Sequence, residues 1–120
     1  MDEDLNALSG VVADHFAAVN TFDEEGIVTT FAADALVNDA HREFWGIDSI
    51  RAWVAKELVG DHVSIEVIEA IDHHGQMVVR GRYDGDYDKT NLPDELILTN
   101  YFTVSDGKIA SLIVIRNTPV

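Results

Sequence analysis

The sequence predicts an α+β domain: three N-terminal helices packed on a strongly bent, mostly antiparallel sheet. Two patterns carry that expectation. Apolar residues recur at helical spacing in much of the first half, and from residue 62 onward the period becomes twofold. Helices first and strands afterwards is the order of an α+β architecture. With 120 residues, 47% of them apolar, the chain is long enough to bury one core, so residues 1–120 are read as a single domain.

Leu5, Leu8, Val12, His15 and Val19 recur at spacings of three and four, the stripe of one buried helix. His15 lies inside that stripe. A core-facing imidazole needs a hydrogen-bond partner, so His15 is either a satisfied structural histidine or a group looking into a cavity. Thr21 followed by Glu24 fits a capping box for a second, short helix, with Ile27, Val28 and Phe31 on its inner side. Ala35 to Asp39 then reads as a strand, in which Asp39 shares a face with Val37 and Ala35. Burial disfavours the charged form of an acid, which is how a carboxylate becomes a proton shuttle near neutral pH. Alternatively, Asp39 simply ends the strand and turns the chain into Ala40-His41. His41 to Gly46 reads as a polar connection whose Phe44 and Trp45 either rim a pocket or fill the core. Ile50, Trp53, Val54 and Leu58 mark the third helix, with Arg51, Lys56 and Glu57 on its wet side and Gly60 closing it.

Four strands follow. Val63, Ile65 and Val67 alternate with Ser64 and Glu66, and the phase slips at Ile68–Ala70, as a bulge would make it. After a turn at His73 to Gln76, Met77, Val79, Gly81 and Tyr83 share one face, and Arg80 and Arg82 point the other way. Residues 84–95 have acids at calcium-loop places one, three, five and twelve. Lys89 stands where that loop needs glycine, so the stretch reads as a solvated acidic loop. The next strand places Asn100 among Leu98, Phe102 and Val104. Asp106-Gly107 makes a hairpin turn into Ile109, Ser111, Ile113 and Ile115, alternating with Ala110, Leu112, Val114 and Arg116. Both faces of this last strand are apolar, and three helices cover only one, so association through the outer sheet face is expected.

Composition excludes several classes. A formal charge of -14 repels phosphate backbones, which argues against a nucleic-acid partner. The absence of cysteine removes disulfides, thiol nucleophiles and thiolate metal sites, and the histidines lack ligand spacing, so no metal is expected. No long apolar run occurs and the chain opens on Met1-Asp2-Glu3-Asp4, so neither membrane span nor secretory signal is expected and a cytoplasmic location follows.

The run Phe16-Ala17-Ala18-Val19-Asn20, then Asp23, Gly26-Ile27-Val28, Phe31 to Ala35, Val37 and Asp39, with Gly46 and Ile50, resembles the nuclear transport factor 2-like superfamily. Within it the ketosteroid-isomerase and SnoaL-like polyketide cyclase branches are most similar. The resemblance implies a cystatin-like α+β roll whose bent sheet forms a cone-shaped pocket, and commonly a homodimer. It places Asp39 where those isomerases keep a general base. His15 falls at the position of their first oxyanion donor, a tyrosine, and Asn100 at that of the second, a protonated aspartate. An imidazole and an amide are weaker donors than those groups.

The candidate catalytic residues are therefore Asp39, His15 and Asn100, with Trp45, Tyr83, Phe102 and Arg116 as substrate-binding candidates. The expected function is cofactor-independent acid–base chemistry of isomerase, cyclase, dehydratase or hydrolase type on a small apolar oxygenated molecule. The alternative is a non-catalytic dimeric binding or assembly module, in which His15 and Asp39 bond each other in the core.

Overall fold

The computed structural model describes residues 8–116. Leu5 of the first apolar stripe, and the acidic opening Met1-Asp2-Glu3-Asp4, lie outside them. Helix α1, Gly10–Asn20, buries Val12, His15 and Val19 as the three-and-four spacing predicts, and Phe16 besides; Leu8, expected in the same stripe, precedes the helix and is half-buried. Its end is tied to the sheet by Asn20, whose side-chain amide donates to the Ile65 carbonyl at 2.9 Å while its Oδ1 accepts from the Ile65 amide at 2.7 Å. This two-point clamp sets where α1, and so His15, stands over the sheet.

Helix α2, Glu24–Val28, is capped by Asp23, which accepts from the Gly26 amide at 3.0 Å. The expected Thr21–Glu24 capping box does not form. The chain reverses at Phe22 in the left-handed region (φ 56), and Thr21 donates back to Ala17 O. Phe31, expected on the inner side of α2, instead opens strand β1, Phe31–Asp39. The expected polar connection after Asp39 is also a strand: β2, Arg42–Trp45, pairs antiparallel with β1. Ala40 and His41 make the two-residue turn between them, both at positive φ (53 and 70). Such a turn favours Asn-Gly or Asp-Gly, which is why Ala-His hid the hairpin.

Helix α3, Ile47–Trp53, runs on into a π-helical turn over Val54–Val59, and Ile50, Trp53, Val54 and Leu58 are buried as the spacing predicts. Strands β3 (Ser64–His73), β4 (Gln76–Asp84), β5 (Leu96–Ser105) and β6 (Lys108–Arg116) complete one six-stranded sheet of order β2-β1-β6-β5-β4-β3. Among the described strands only β1 and β6 are parallel neighbours; every other pair is antiparallel. The register of β3 on β4 shifts between Val67 and Glu69, where the sequence slips phase. A second shift, between Thr103 and Val104, breaks the strict alternation expected of β6. Ile109 is buried along with Leu112 and Val114 instead of following Ser111, Ile113 and Ile115 outward.

The inner sheet face carries Ala35, Val37, Ile65, Val79, Phe102, Leu112 and Val114 into one core with the helices. Gly81 belongs to this face. A methyl group there would come within 2.5 Å of Ile65 Cγ2, so the missing side chain lets β3 and β4 close under the pocket. On the outer face Arg80 and Arg82 pair with Glu69 and Glu66. Beside them Ile113, Tyr101, Val78 and Ile71 stand opposite one another across four strands. Among the described residues no helix is long and apolar enough to cross a membrane.

Candidate functional site

Between the helices and the bent sheet lies a cavity of about 150 Å³, lined mainly by apolar side chains from α3, β3, β5 and β6. His15, Asp39, Tyr83 and Asn100 reach it from α1, β1, β4 and β5. Four elements thus bring to one hollow the three polar residues and the one tyrosine that strand and helix phase turn inward.

Asn100 is 1% exposed and fixed on both sides. Its Oδ1 accepts from the Tyr83 hydroxyl at 2.9 Å, and its Nδ2 donates to the Val79 carbonyl at 3.4 Å. Burial pushes the Tyr83 hydroxyl well above the ordinary phenol range, so it stays protonated and keeps donating. The amide therefore cannot flip, and its second Nδ2 hydrogen is the one left for a guest.

Asp39 is not the isolated acid that β1 alone suggests. The β1–β2 register sets Arg42 opposite it, and Arg42 Nη2 donates to Asp39 Oδ2 at 2.8 Å. Trp53 Nε1 donates to the same oxygen at 3.2 Å. Arg42 also forks onto Glu57, Nη1 to Oε2 at 2.8 Å and Nη2 to Oε1 at 2.7 Å. Glu57, expected on the wet side of α3, is carried by the π-helical turn to the pocket edge. Oδ1 of Asp39 accepts no hydrogen bond among the described residues.

His15 is 2% exposed and held in an aromatic cage: the rings of Phe16, Phe31 and Phe102 meet it edge-on, with centroids 5.3, 5.5 and 5.4 Å away. Its Nδ1 lies 3.4 Å from Thr30 Oγ1. Burial lowers its pKa from 6.5 to about 4, so the ring is neutral in neutral solution. The direct His15–Asp39 bond expected of a purely structural pair is absent: His15 turns to Thr30, and Asp39 to Arg42 and Trp53.

Three substrate-binding candidates stand elsewhere. Trp45 is 63% exposed, because in β2 it pairs with Leu36 on the outer face, and its indole donates to Glu43. Arg116, the last residue of β6, is exposed beside Asn38, Ala40 and His41, outside the pocket. Phe102 is fully buried behind His15 and supports the ring without lining the cavity. Conversely, Trp53, Glu57, Asp61 and Tyr87 line the pocket without having been singled out. In the acidic loop, Asp84, Asp86 and Glu95 turn to Lys89, His62 and Arg82 instead of converging.

A six-stranded curled sheet backed by helices on one face, with polar groups converging on an apolar hollow, defines a nuclear transport factor 2-like protein of the cystatin-like α+β roll. The SnoaL-like domain family matches residues 12–112, and the chain belongs to that family. Among solved structures, a protein of Sinorhizobium meliloti proposed to be a polyketide cyclase is similar at 27% identity and TM-score 0.77, over 87% of this chain and 92% of that one. A ketosteroid isomerase-like fold protein of Catenulispora acidiphila, in complex with trimethylamine, shares 18% identity at TM-score 0.73, over 87% and 82%. A cystatin-fold protein of Novosphingobium aromaticivorans shares 15% at TM-score 0.75, over 88% and 95%. No curated protein matches the chain significantly in sequence. Family and neighbours together are of a small-ligand, enzyme-type fold.

Proposed function

We propose that the chain is a cofactor-independent acid–base enzyme, of isomerase, cyclase, dehydratase or hydrolase type, acting on a small, largely apolar oxygenated molecule. The observation that carries this reading is the convergence of Asp39, His15 and Asn100, from three separate elements, on one apolar cavity. Asp39 Oδ1 is the proton-accepting atom, and Arg42 and Trp53 hold the carboxylate in place through Oδ2. The free Nδ2 hydrogen of Asn100, aimed by Tyr83 and Val79, polarises the substrate oxygen. A cavity of about 150 Å³ is of the size that holds a single aromatic ring, so the substrate has about one ring inside the pocket and not four.

A thermal-shift screen of one-ring carbonyl and hydroxyl compounds, followed by product analysis of the hits, tests this reading. Asp39→Asn keeps an oxygen acceptor for Arg42 and Trp53, so fold and binding survive while turnover falls about a hundredfold or more. Full activity in that variant removes Asp39 from the mechanism. A specific observation supports the alternative of a non-catalytic module: Arg42 and Trp53 already satisfy Oδ2 of Asp39. In that case Asp39→Asn mainly lowers the melting temperature, and no compound is turned over.

The outer sheet face supports a homodimer. Its row of Ile113, Tyr101, Val78 and Ile71, with the exposed Trp45 of β2 on the same face, has no helix over it among the described residues.

A further inference from the structure

We infer that Thr30 fixes His15 as the Nδ1–H tautomer, so that the pocket presents a bare Nε2 and takes a small neutral ligand that gives it a hydroxyl hydrogen. The ligand part rests on reading the cavity as a binding site; the tautomer does not.

Thr30, 5% exposed, lies between α2 and β1 and has a single hydroxyl hydrogen. Two acceptors compete for it. The Ile27 carbonyl is 2.6 Å away and His15 Nδ1 is 3.4 Å away, so the hydrogen goes to Ile27. What Thr30 Oγ1 then turns to His15 is a lone pair. A bare Nδ1 would set two lone pairs against each other in a buried site, whereas an Nδ1–H donates to the hydroxyl oxygen. The ring sits among Phe16, Phe31 and Phe102 with no carboxylate bonded to it, so it carries one hydrogen and not two. Nε2 is therefore bare.

Nε2 also faces the cavity. It has no hydrogen bond among the described residues, yet the one fully enclosed side-chain polar atom left unbonded among them is Arg82 Nε. Nε2 is thus reached from the pocket that His15 lines.

The hydrogens of the pocket wall are mostly spoken for. Tyr83 gives its own to Asn100, and Trp53 gives its own to Asp39. One Asn100 hydrogen and the Tyr87 hydroxyl remain as donors, against His15 Nε2, Asp39 Oδ1 and the Glu57 and Asp61 carboxylates as acceptors, so the wall offers more acceptors than donors. A guest that only accepts leaves Nε2 buried and unpaired, and a carboxylate guest meets Asp39, Glu57 and Asp61. The matching class is a neutral one-ring phenol, enol or alcohol. In this scheme Thr30 is a positioning residue: it acts only through His15.

Long-range ¹H–¹⁵N correlation spectra of the His15 ring, near neutral pH, read the tautomer without any ligand. The expected spectrum shows Nδ1 protonated and Nε2 bare in the wild type and in Thr30→Ser, and a changed or mixed tautomer in Thr30→Val. A protonated Nε2 in the wild type, or an unaltered ring in Thr30→Val, overturns the assignment. Titration with phenol and with anisole, its methyl ether, reads the ligand class on the wild-type protein alone. Phenol is expected to bind about tenfold tighter or more, and the preference to shrink in Thr30→Val. Equal binding overturns the ligand class. If neither probe binds, the reading of the cavity as a ligand site falls, and the ligand class with it, while the ring spectrum still decides the tautomer.

Discussion

His15 is the residue through which acid reaches the core. Its folded pKa, about 4, lies below the 6.5 of an unfolded histidine, so between those values the unfolded chain binds more protons and stability falls as the pH is lowered. The stabilisation is complete above 6.5, and about 3 kcal/mol is lost as pH drops through that window. Chemical denaturation of the wild type and His15→Gln across the window measures it: the variant is expected to lose that part of the pH dependence, and equal slopes would show that His15 does not titrate in the core. His15, Asp39 and Asn100 were legible because helix and strand periods alone decide which way a side chain turns. Their partners were not. Thr30, Arg42 and Trp53 meet them across elements, at distances set by a hairpin register and by packing that no local period contains. A fully buried aromatic such as Phe102 and a lining one such as Trp53 look alike in sequence, and the structure exchanges the roles expected of them.

The β1–β2 hairpin is where the chain departs most from its expected elements, and it also arms the site, because it delivers Arg42 to Asp39. Its turn holds two non-glycine residues in the left-handed region, at about 1–2 kcal/mol each. Replacing Ala40-His41 with Asn-Gly is expected to raise stability by about 1 kcal/mol in denaturant titrations without disturbing the Arg42–Asp39 pair. A loss of stability would contradict the turn geometry. The other two tight turns, His74-Gly75 and Asp106-Gly107, carry glycine at their second position and were readable for that reason. The clamp from Asn20 to Ile65 belongs to the same level, since it fastens α1 to β3. Asn20→Ala leaves a backbone donor and acceptor of Ile65 without their partner, and is expected to destabilise by about 1–3 kcal/mol. The bulge in β3 could be read from the slipped phase at Ile68, whereas the one facing Val104 could not, because Ile109, Ile113 and Ile115 look equally apolar on either face.

The described residues form one sheet with helices on a single face, and the α+β order, the bend and the family were all legible from the change of period at residue 62 and from the spread of matching positions between Phe16 and Ile50. What the sequence leaves open is what covers the second face. If the outer row forms a homodimer, Ile113→Asp is expected to convert the protein to monomers in analytical ultracentrifugation while its circular dichroism is unchanged. A wild type that is already monomeric at high concentration would refute that interface. The central claim, that separate elements bring their polar groups to one binding hollow, is tested most directly by ¹H–¹⁵N NMR titration with phenol. The Trp53 indole N–H and the Asn100 side-chain amide are expected to shift together and saturate at one affinity. Shifts confined to the outer face, or none at these two groups, would contradict it.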